Sequence, residues 1–244
     1  GDFGDKNWQR FNLKNFIFSK LAGLVLRKAD QIRCVGFSQS EKIIASFKID
    51  PAKIVLAPIP TKNKVLLPSW NKPTMPVVAF LGRLHKERSV EIWAETASEI
   101  LQANKNIHFL IIGDGPKRIY FETKLKEIPI DKISFVGKLQ NEEAMKHLSK
   151  SSVLLSTALF ESYGMAMVEA AKIGLPIVSK PTSGALDLNT AYNSIFLGDT
   201  PKELATLTLA ALDQEERGVI TGPEFLKSET DSVGAIVDAW LKLI

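Results

Sequence analysis

The sequence predicts an α/β fold built on a doubly wound parallel sheet, with part of a second unit ahead of it. Three observations carry that expectation. From Pro76 onward short apolar runs alternate with amphipathic stretches, the rhythm of a parallel sheet covered by helices on both faces. Turn and breaker residues such as Gly113-Asp114-Gly115-Pro116 and Pro129 fall between those runs. Residues 1–74 do not keep the rhythm at all.

Val77-Val78-Ala79-Phe80-Leu81 reads as the first buried strand. Val90, Trp93, Ala94, Ala97 and Leu101 follow at helical spacing, so an amphipathic helix comes next. Ile107 to Ile112 is the second strand, and Pro116 opens a helix that ends before Pro129. The pattern continues with strand Ile133–Val136, helix Asn141–Lys150, strand Val153–Ser156, helix Ser162–Lys172 and strand Pro176–Ser179. In such sheets ligands sit beyond the carboxyl ends of the strands, where the strand order reverses. Residues 82–88, 113–116, 137–140 and 157–164 all follow strands and should line one crevice.

Residues 1–74 offer a helical stretch from Asn12 to Lys28, two short apolar runs (Ile32–Phe37 and Ile54–Ala57) and a loop rich in proline and lysine. One helix and two strands cannot bury a core of their own, so this segment reads as the end of another α/β domain. Pro58, Pro60, Pro68, Pro73 and Pro76 make residues 58–76 the linker. Val233, Ile236, Val237, Trp240, Leu241 and Ile244 lie at helical spacing near the C-terminus. The expected organisation is therefore 1–74 (domain tail and linker), 75–215 (main sheet domain) and 216–244 (a C-terminal helical segment).

Composition narrows the function less. The 244 residues are 45% hydrophobic and 24% charged, ordinary for a globular protein. No apolar run reaches the roughly eighteen residues of a membrane-spanning helix, and the N-terminus lacks the pattern of a signal peptide. The lone Cys34 precludes an internal disulfide and suits a reducing, cytoplasmic setting; buried packing is its expected role. A net charge of +4 is compatible with phosphate-bearing ligands, but the basic residues are scattered, so nucleic acid is not an expected partner. The stretch Arg10–Lys28 mixes Phe16, Phe18, Leu21, Leu24 and Val25 with Lys14, Lys20, Arg27 and Lys28. A domain helix packed on its sheet is the favoured reading; peripheral association with the inner face of a membrane is the alternative.

The most specific stretch is Phe160-Glu161-Ser162-Tyr163-Gly164-Met165-Ala166-Met167-Val168-Glu169-Ala170-Ala171, ending at Gly174-Leu175-Pro176. Ser162 suits an N-cap and Gly174 a helix stop. The free N–H groups at Tyr163, Gly164 and Met165, with the helix dipole, would form an anion site. Glu161 precedes the helix and Glu169 lies about two turns inside it, some 10–12 Å apart at roughly 1.5 Å per residue. Two carboxylates flanking a phosphate site suit a sugar joined through a diphosphate to a ribose. Two exposed glutamates on an ordinary helix fit the spacing equally well.

Taken with its context, this stretch resembles the signature of the retaining, glycogen-phosphorylase-like GT-B glycosyltransferases, with family 4 the nearest in pattern. Phe80-Leu81-Gly82-Arg83-Leu84, Ile111-Ile112-Gly113-Asp114-Gly115-Pro116 and Phe135-Val136-Gly137-Lys138-Leu139 extend the likeness, and residues 29–57 resemble the end of that family's N-terminal domain. The resemblance implies a Rossmann-like C-terminal domain that binds a UDP-, GDP- or ADP-sugar as donor substrate, with no resident cofactor. It implies that Glu169 holds ribose hydroxyls, that Glu161 fixes the donor hexose, and that Arg83 lies on the diphosphate and stabilises the leaving group. The family's lysine a few residues later has Arg88 at its distance, with Lys86 as the nearby alternative. Gly82 belongs to the same phosphate loop, and backbone around Lys138 and Leu139 would meet the base.

Other motifs fall away. Arg118 stands where a dinucleotide fingerprint needs its third glycine, and no Gly-Lys-Ser/Thr sequence occurs. No Asp-x-Asp pair or His/Cys cluster suggests a metal, so leaving-group stabilisation by cations and the helix dipole is expected. His85 reads as a solvated loop residue, and His108 and His147 as structural. Two functions remain. One is a retaining hexosyltransferase whose N-terminal portion is absent here, acting on an acceptor glycan, lipid or other molecule. The other is a nucleotide-sugar-binding module, or a subunit completed by a separate N-terminal partner. A sugar-nucleotide epimerase fits the Glu161–Glu169 context less well.

Overall fold

A computed structural model describes residues 13–59, 69–216 and 218–219. The expected C-terminal helical segment, 216–244, lies almost wholly outside them, as do the first twelve residues and the middle of the proline-rich linker.

Six parallel strands form the main sheet: β3 (Val77–Leu81), β4 (His108–Ile112), β5 (Ile133–Gly137), β6 (Val153–Ser156), β7 (Ile177–Ser179) and β8 (Ile195–Leu197), in the order β5-β4-β3-β6-β7-β8. The chain runs outward from β3 through β4 to β5, then returns to β6 on the other side of β3 and runs outward again. That reversal puts the topological switch point between β3 and β6. Strand β4 shows why the apolar runs are continuous rather than alternating. Phe109 and Ile111 enter one core with Trp93, Phe121 and Leu204, while Leu110 and Ile112 enter a second core with Met145, Leu154 and Leu188. Successive side chains point to opposite faces, and both faces are dry.

The first core is covered by α3 (Val90–Ala103), α4 (Arg118–Lys124) and α8 (Pro201–Leu212). Trp93 is its centre, with its ring 5.4 Å from Phe109 and 6.5 Å from Phe80, both edge-on. The second core is covered by α5 (Asn141–Leu148), α6 (Met165–Ile173) and α7 (Ser183–Asn189). Residues 69–71 strap across this side: Trp70 is buried, its backbone N–H donates to Ile173 O at 2.9 Å and its Nε1–H to Ser151 O at 2.6 Å.

The expected strands appear within a residue or two. The helix expected from Pro116 starts at Arg118, and that expected to Lys150 stops at Leu148. Strand β8 and helices α7 and α8 extend the pattern beyond the segments read from the sequence.

Ahead of the main sheet, β1 (Ile32–Cys34) pairs in parallel with β2 (Ile54–Leu56), and α2 (Phe37–Phe47) packs on them through Ile43 and Phe47. Cys34 is fully buried there. The apolar run 32–37 is therefore only half strand, and Phe37 begins a helix. Helix α1 (Leu13–Lys28) lies mainly on α2, with Leu26 packed against the small core that β1 and α2 share. Its buried residues are Ser19 and Gly23, and a Cβ on Gly23 would come 2.8 Å from the Phe47 ring. Phe16, Ile17, Leu21, Leu24 and Val25 remain exposed. No helix among the described residues is long and apolar enough to cross a membrane.

Candidate functional site

Two adjoining depressions sit at the carboxyl end of β3 and share Leu81 and Gly82 in their walls. The larger, about 650 Å³, runs toward β6 and is lined by Arg88, Glu161, Ser162, Gly164, Met165 and Glu169 among others. The smaller, about 350 Å³, runs toward β4 and β5 and is lined by Arg83, Gly113, Asp114, Lys138 and Leu139. All four loops expected to converge do so.

Glycines let these loops approach one another. Gly113 has φ +141°, and a Cβ there would fall 1.9 Å from Gly82 O. A Cβ on Gly115 would lie 2.6 Å from Leu84 O, and Leu84 N–H donates to Asp114 O at 3.0 Å. The Gly-x-Gly pair thus welds the β4 loop to the β3 loop; its requirement is steric.

Arg83 is exposed at the rim of the smaller depression and forms no ion pair among the described residues. Arg88 closes a one-turn 3₁₀ segment (Lys86–Arg88) and its guanidinium contacts Glu161 Oε2 at 2.5 Å. Thr157 Oγ1 donates to Arg88 O at 2.9 Å, and Leu159 N–H to Glu87 O at 3.0 Å, so the β6 loop fixes this segment. Of the two cations that suit the position after Arg83, Arg88 lines the larger depression and Lys86 lines neither. His85 Nδ1 lies 3.7 Å from a Glu87 oxygen, and His108 Nε2 pairs with Ser134 Oγ at 2.9 Å.

The helix start differs from expectation. Ser162 is not the N-cap: α6 begins at Met165, after Gly164 in the left-handed region (φ +79°, ψ +53°). The chain turns there because the preceding loop is held from outside, by Gly184 N–H donating to Glu161 O at 2.8 Å. The first intrahelical bond is Val168 N–H to Gly164 O, which leaves the amides of Met165 and Ala166, at the mouth of the larger depression, without a helical acceptor. Tyr163 is instead buried, and burial raises its phenol pKa above the usual value. Glu169 accordingly lies little more than one turn into the helix. Gly174 ends it in the left-handed region as expected.

Glu169 accepts a 2.6 Å hydrogen bond from Asn141 Nδ2. Burial raises its carboxyl pKa, opposed by the Asn141 bond and by Lys172. Sequence reasoning does not single out Asn141. It is the first residue of α5, whose start is fixed by the Gln140–Glu143 capping box, and its place just after a strand-end loop is the available signal. Val35, Gln39 and Ile59 also line the larger depression; they arrive from the N-terminal segment and no local pattern marks them. Among the described residues no group of His, Cys, Asp or Glu is arranged to hold a metal ion.

The fold and this crevice define a Rossmann-like α/β protein with a pocket of mixed charge, bearing free helix amides, at its switch point. A family model, "Glycosyl transferases group 1", matches residues 66–220, and the chain belongs to that family. One component of the human phosphatidylinositol N-acetylglucosaminyltransferase is 23% identical over 215 residues, covering 87% of this chain and 44% of the relative. The 2-deoxystreptamine glucosyltransferase of Streptomyces kanamyceticus is 29% identical over 157 residues, or 63% of this chain and 40% of the relative. The chain thus spans under half the length of these relatives. Among solved structures, a mutant of TarM from S. aureus in complex with fondaparinux, α-GlcNAc-glycerol and UDP superposes with TM-score 0.71 at 15% identity, covering 94% of this chain and 46% of that one. Anabaena HepE in complex with UDP and glucose gives 0.69 at 16%, covering 96% and 68%. These likenesses establish the fold as GT-B.

Proposed function

We propose that the crevice binds a nucleoside-diphosphate sugar and that the chain forms the donor side of a retaining glycosyltransferase. The observation that carries this reading is the meeting, at one switch point, of two arginines, the free amides of α6 and two carboxylates. Anionic phosphates suit the amides and the guanidiniums. Glu169, steadied by Asn141, suits two adjacent ribose hydroxyls, since a carboxylate accepts at both oxygens. Lys138 and Leu139 would bound the base in the smaller depression, with Arg83 between base and sugar ends. Two structural relatives solved in complex with UDP support a donor of this class.

The chemistry such a site performs is departure of the nucleoside diphosphate from the anomeric carbon. Negative charge grows on the leaving phosphate oxygen as that bond breaks. Arg83, Arg88 and the α6 amides would lie where the charge develops, which is where preorganised donors lower a barrier. The Arg88–Glu161 pair keeps that arginine in place and leaves the second Glu161 oxygen for a sugar hydroxyl. Charge stabilisation in this reading is supplied by the protein, so binding should survive chelation. Calorimetric titration with UDP, GDP and ADP in the presence of EDTA is the test. Saturable binding of at least one is expected; heat-silent titrations with all three, on protein shown to be folded, would reject the reading.

A further inference from the structure

Asp187 lies on α7, nearly buried, on the side facing the N-terminal segment. Its Oδ1 accepts from Ser38 N–H at 2.8 Å and from Ser38 Oγ–H at 2.5 Å, a contact across 149 residues of sequence. Ser38 is the second residue of α2, whose own N-cap, Gly36, has no side chain to offer. Asp187 therefore caps α2 from another part of the molecule, doing for that helix what an Asp or Ser at the cap position does locally. Its other oxygen, Oδ2, is buried without a partner among the described residues. It sits where a Gly36 side chain would be: a Cβ on Gly36 would fall 2.2 Å from it. Gly36 has φ −155° and ψ 163°, a conformation open to any residue, so its backbone does not require glycine. The approach of Asp187 does.

The same short helix grips the donor loop at its other end. Gly184 N–H donates to Glu161 O, and a Cβ on Gly184 would meet Tyr163 C and O at 2.5 Å. Helix α7 thus touches the loop bearing Glu161 with its first turn and α2 with its second. Val35 and Gln39 line the same depression as Glu161, tied together by Val35 N–H donating to Gln39 Oε1 at 3.0 Å. Both lie within four residues of Ser38 and Gly36.

We propose that Asp187 is the positioning residue that joins the N-terminal segment to the donor unit, and that through α7 it sets the distance between the Val35–Gln39 wall and Glu161. A hexose bound beside Glu161 meets that wall, whereas the nucleotide portion lies on the donor unit alone. This second statement rests on the proposed donor site; the joint itself does not.

Hydrogen exchange by mass spectrometry on the 244-residue chain reads the joint without any ligand. Asp187→Ala should speed exchange of the α2 amides by about 10-fold, the loss of one cap, while β4 and β6 stay protected. Gly36→Ala, on the opposite element, should do the same through the clash. The double variant should exchange no faster than Asp187→Ala alone, because the nearest remaining atom to the new Cβ is then Ser162 O at 3.7 Å. Multiplied effects in the double variant, or unchanged α2 exchange in either single variant, would overturn the joint. Asp187→Asn keeps an acceptor for Ser38 and should restore most of the protection.

UDP and UDP-glucose then read the second statement. Asp187→Ala should leave UDP affinity within about twofold and lower the UDP-glucose to UDP ratio by about threefold or more. An unchanged ratio would remove the role in positioning the wall. Failure of wild type to bind either ligand, with the exchange results intact, would reject the donor site and leave the joint standing.

Discussion

Removal of the Glu169 side chain tests the donor reading at its most exacting point. The carboxylate is partly buried on α6, with one oxygen already accepting from Asn141 Nδ2 at 2.6 Å. Two ribose hydroxyls can still be accommodated, because a carboxylate has about four lone-pair positions. Hydrogen bonds to a charged acceptor are worth about 1.5–3 kcal/mol each, but the empty site returns part of that to water and to Asn141. Glu169→Ala should therefore weaken UDP by about 2–3 kcal/mol, roughly 30- to 150-fold in Kd. Glu169→Gln keeps one acceptor oxygen and should cost about half as much. Neither variant should be less stable at neutral pH. Burial raises this carboxyl above its ordinary 4.5, so from about pH 4.5 up to the raised value the folded state holds a proton that the unfolded chain has lost. Stability contributed by this group falls as pH rises through that window, and a neutral glutamine escapes the loss. Ligand affinity moves the other way: ionised Glu169 is the better acceptor, so wild type should lose affinity relative to Glu169→Gln as pH falls through the raised pKa. Calorimetry and thermal melts across pH read both. A Glu169→Ala protein with an unchanged melting temperature and UDP affinity within twofold of wild type would refute the assignment.

Two further outcomes follow from neighbouring residues. Arg83→Ala should weaken UDP about 10-fold, a lost charged contact, and leave uridine unaffected in the same titration; an equal loss for both would move Arg83 off the diphosphate. Gly113→Ala must place a Cβ 1.9 Å from Gly82 O at φ +141°, and should cost about 2–4 kcal/mol, lowering Tm on the order of 10 °C; a melt within about 2 °C of wild type would contradict the welded-loop account.

The main sheet was legible because both its faces are buried. Phe109 and Ile111 feed one core and Leu110 and Ile112 the other, so every residue of the strand is apolar and the run stands out. Short elements were harder to read. Helix α2 hides behind β1 because Ile32, Cys34 and Phe37 read as one apolar run, and α7, only seven residues long, offers Ala185 and Leu188 to the second core with the polar Asp187 between them. The Gly-x-Gly pair at 113 and 115 lacks the third glycine of a phosphate fingerprint, and its actual work lies in a contact with Gly82 O and Leu84 O that spacing alone does not reveal.

The candidate site was legible where local chemistry decides and opaque where tertiary contact decides. Arg83, Glu161 and Glu169 could be picked out by residue type and by position after strands or on a helix. Ser162 looked like an N-cap because serine accepts from backbone amides wherever it precedes a helix. The helix begins later since Gly184 N–H holds Glu161 O and Gly164 supplies the left-handed turn. That displacement moves the free amides from Tyr163, Gly164 and Met165 to Met165 and Ala166 and shortens the path to Glu169, so the proposed phosphate and ribose positions come closer than the sequence suggested. The same hydrogen bond makes the donor loop depend on α7, and α7 depends on Ser38 through Asp187. A change at Gly36 would then be felt at Glu161, although the two are 125 residues apart and neither one's sequence context announces the other.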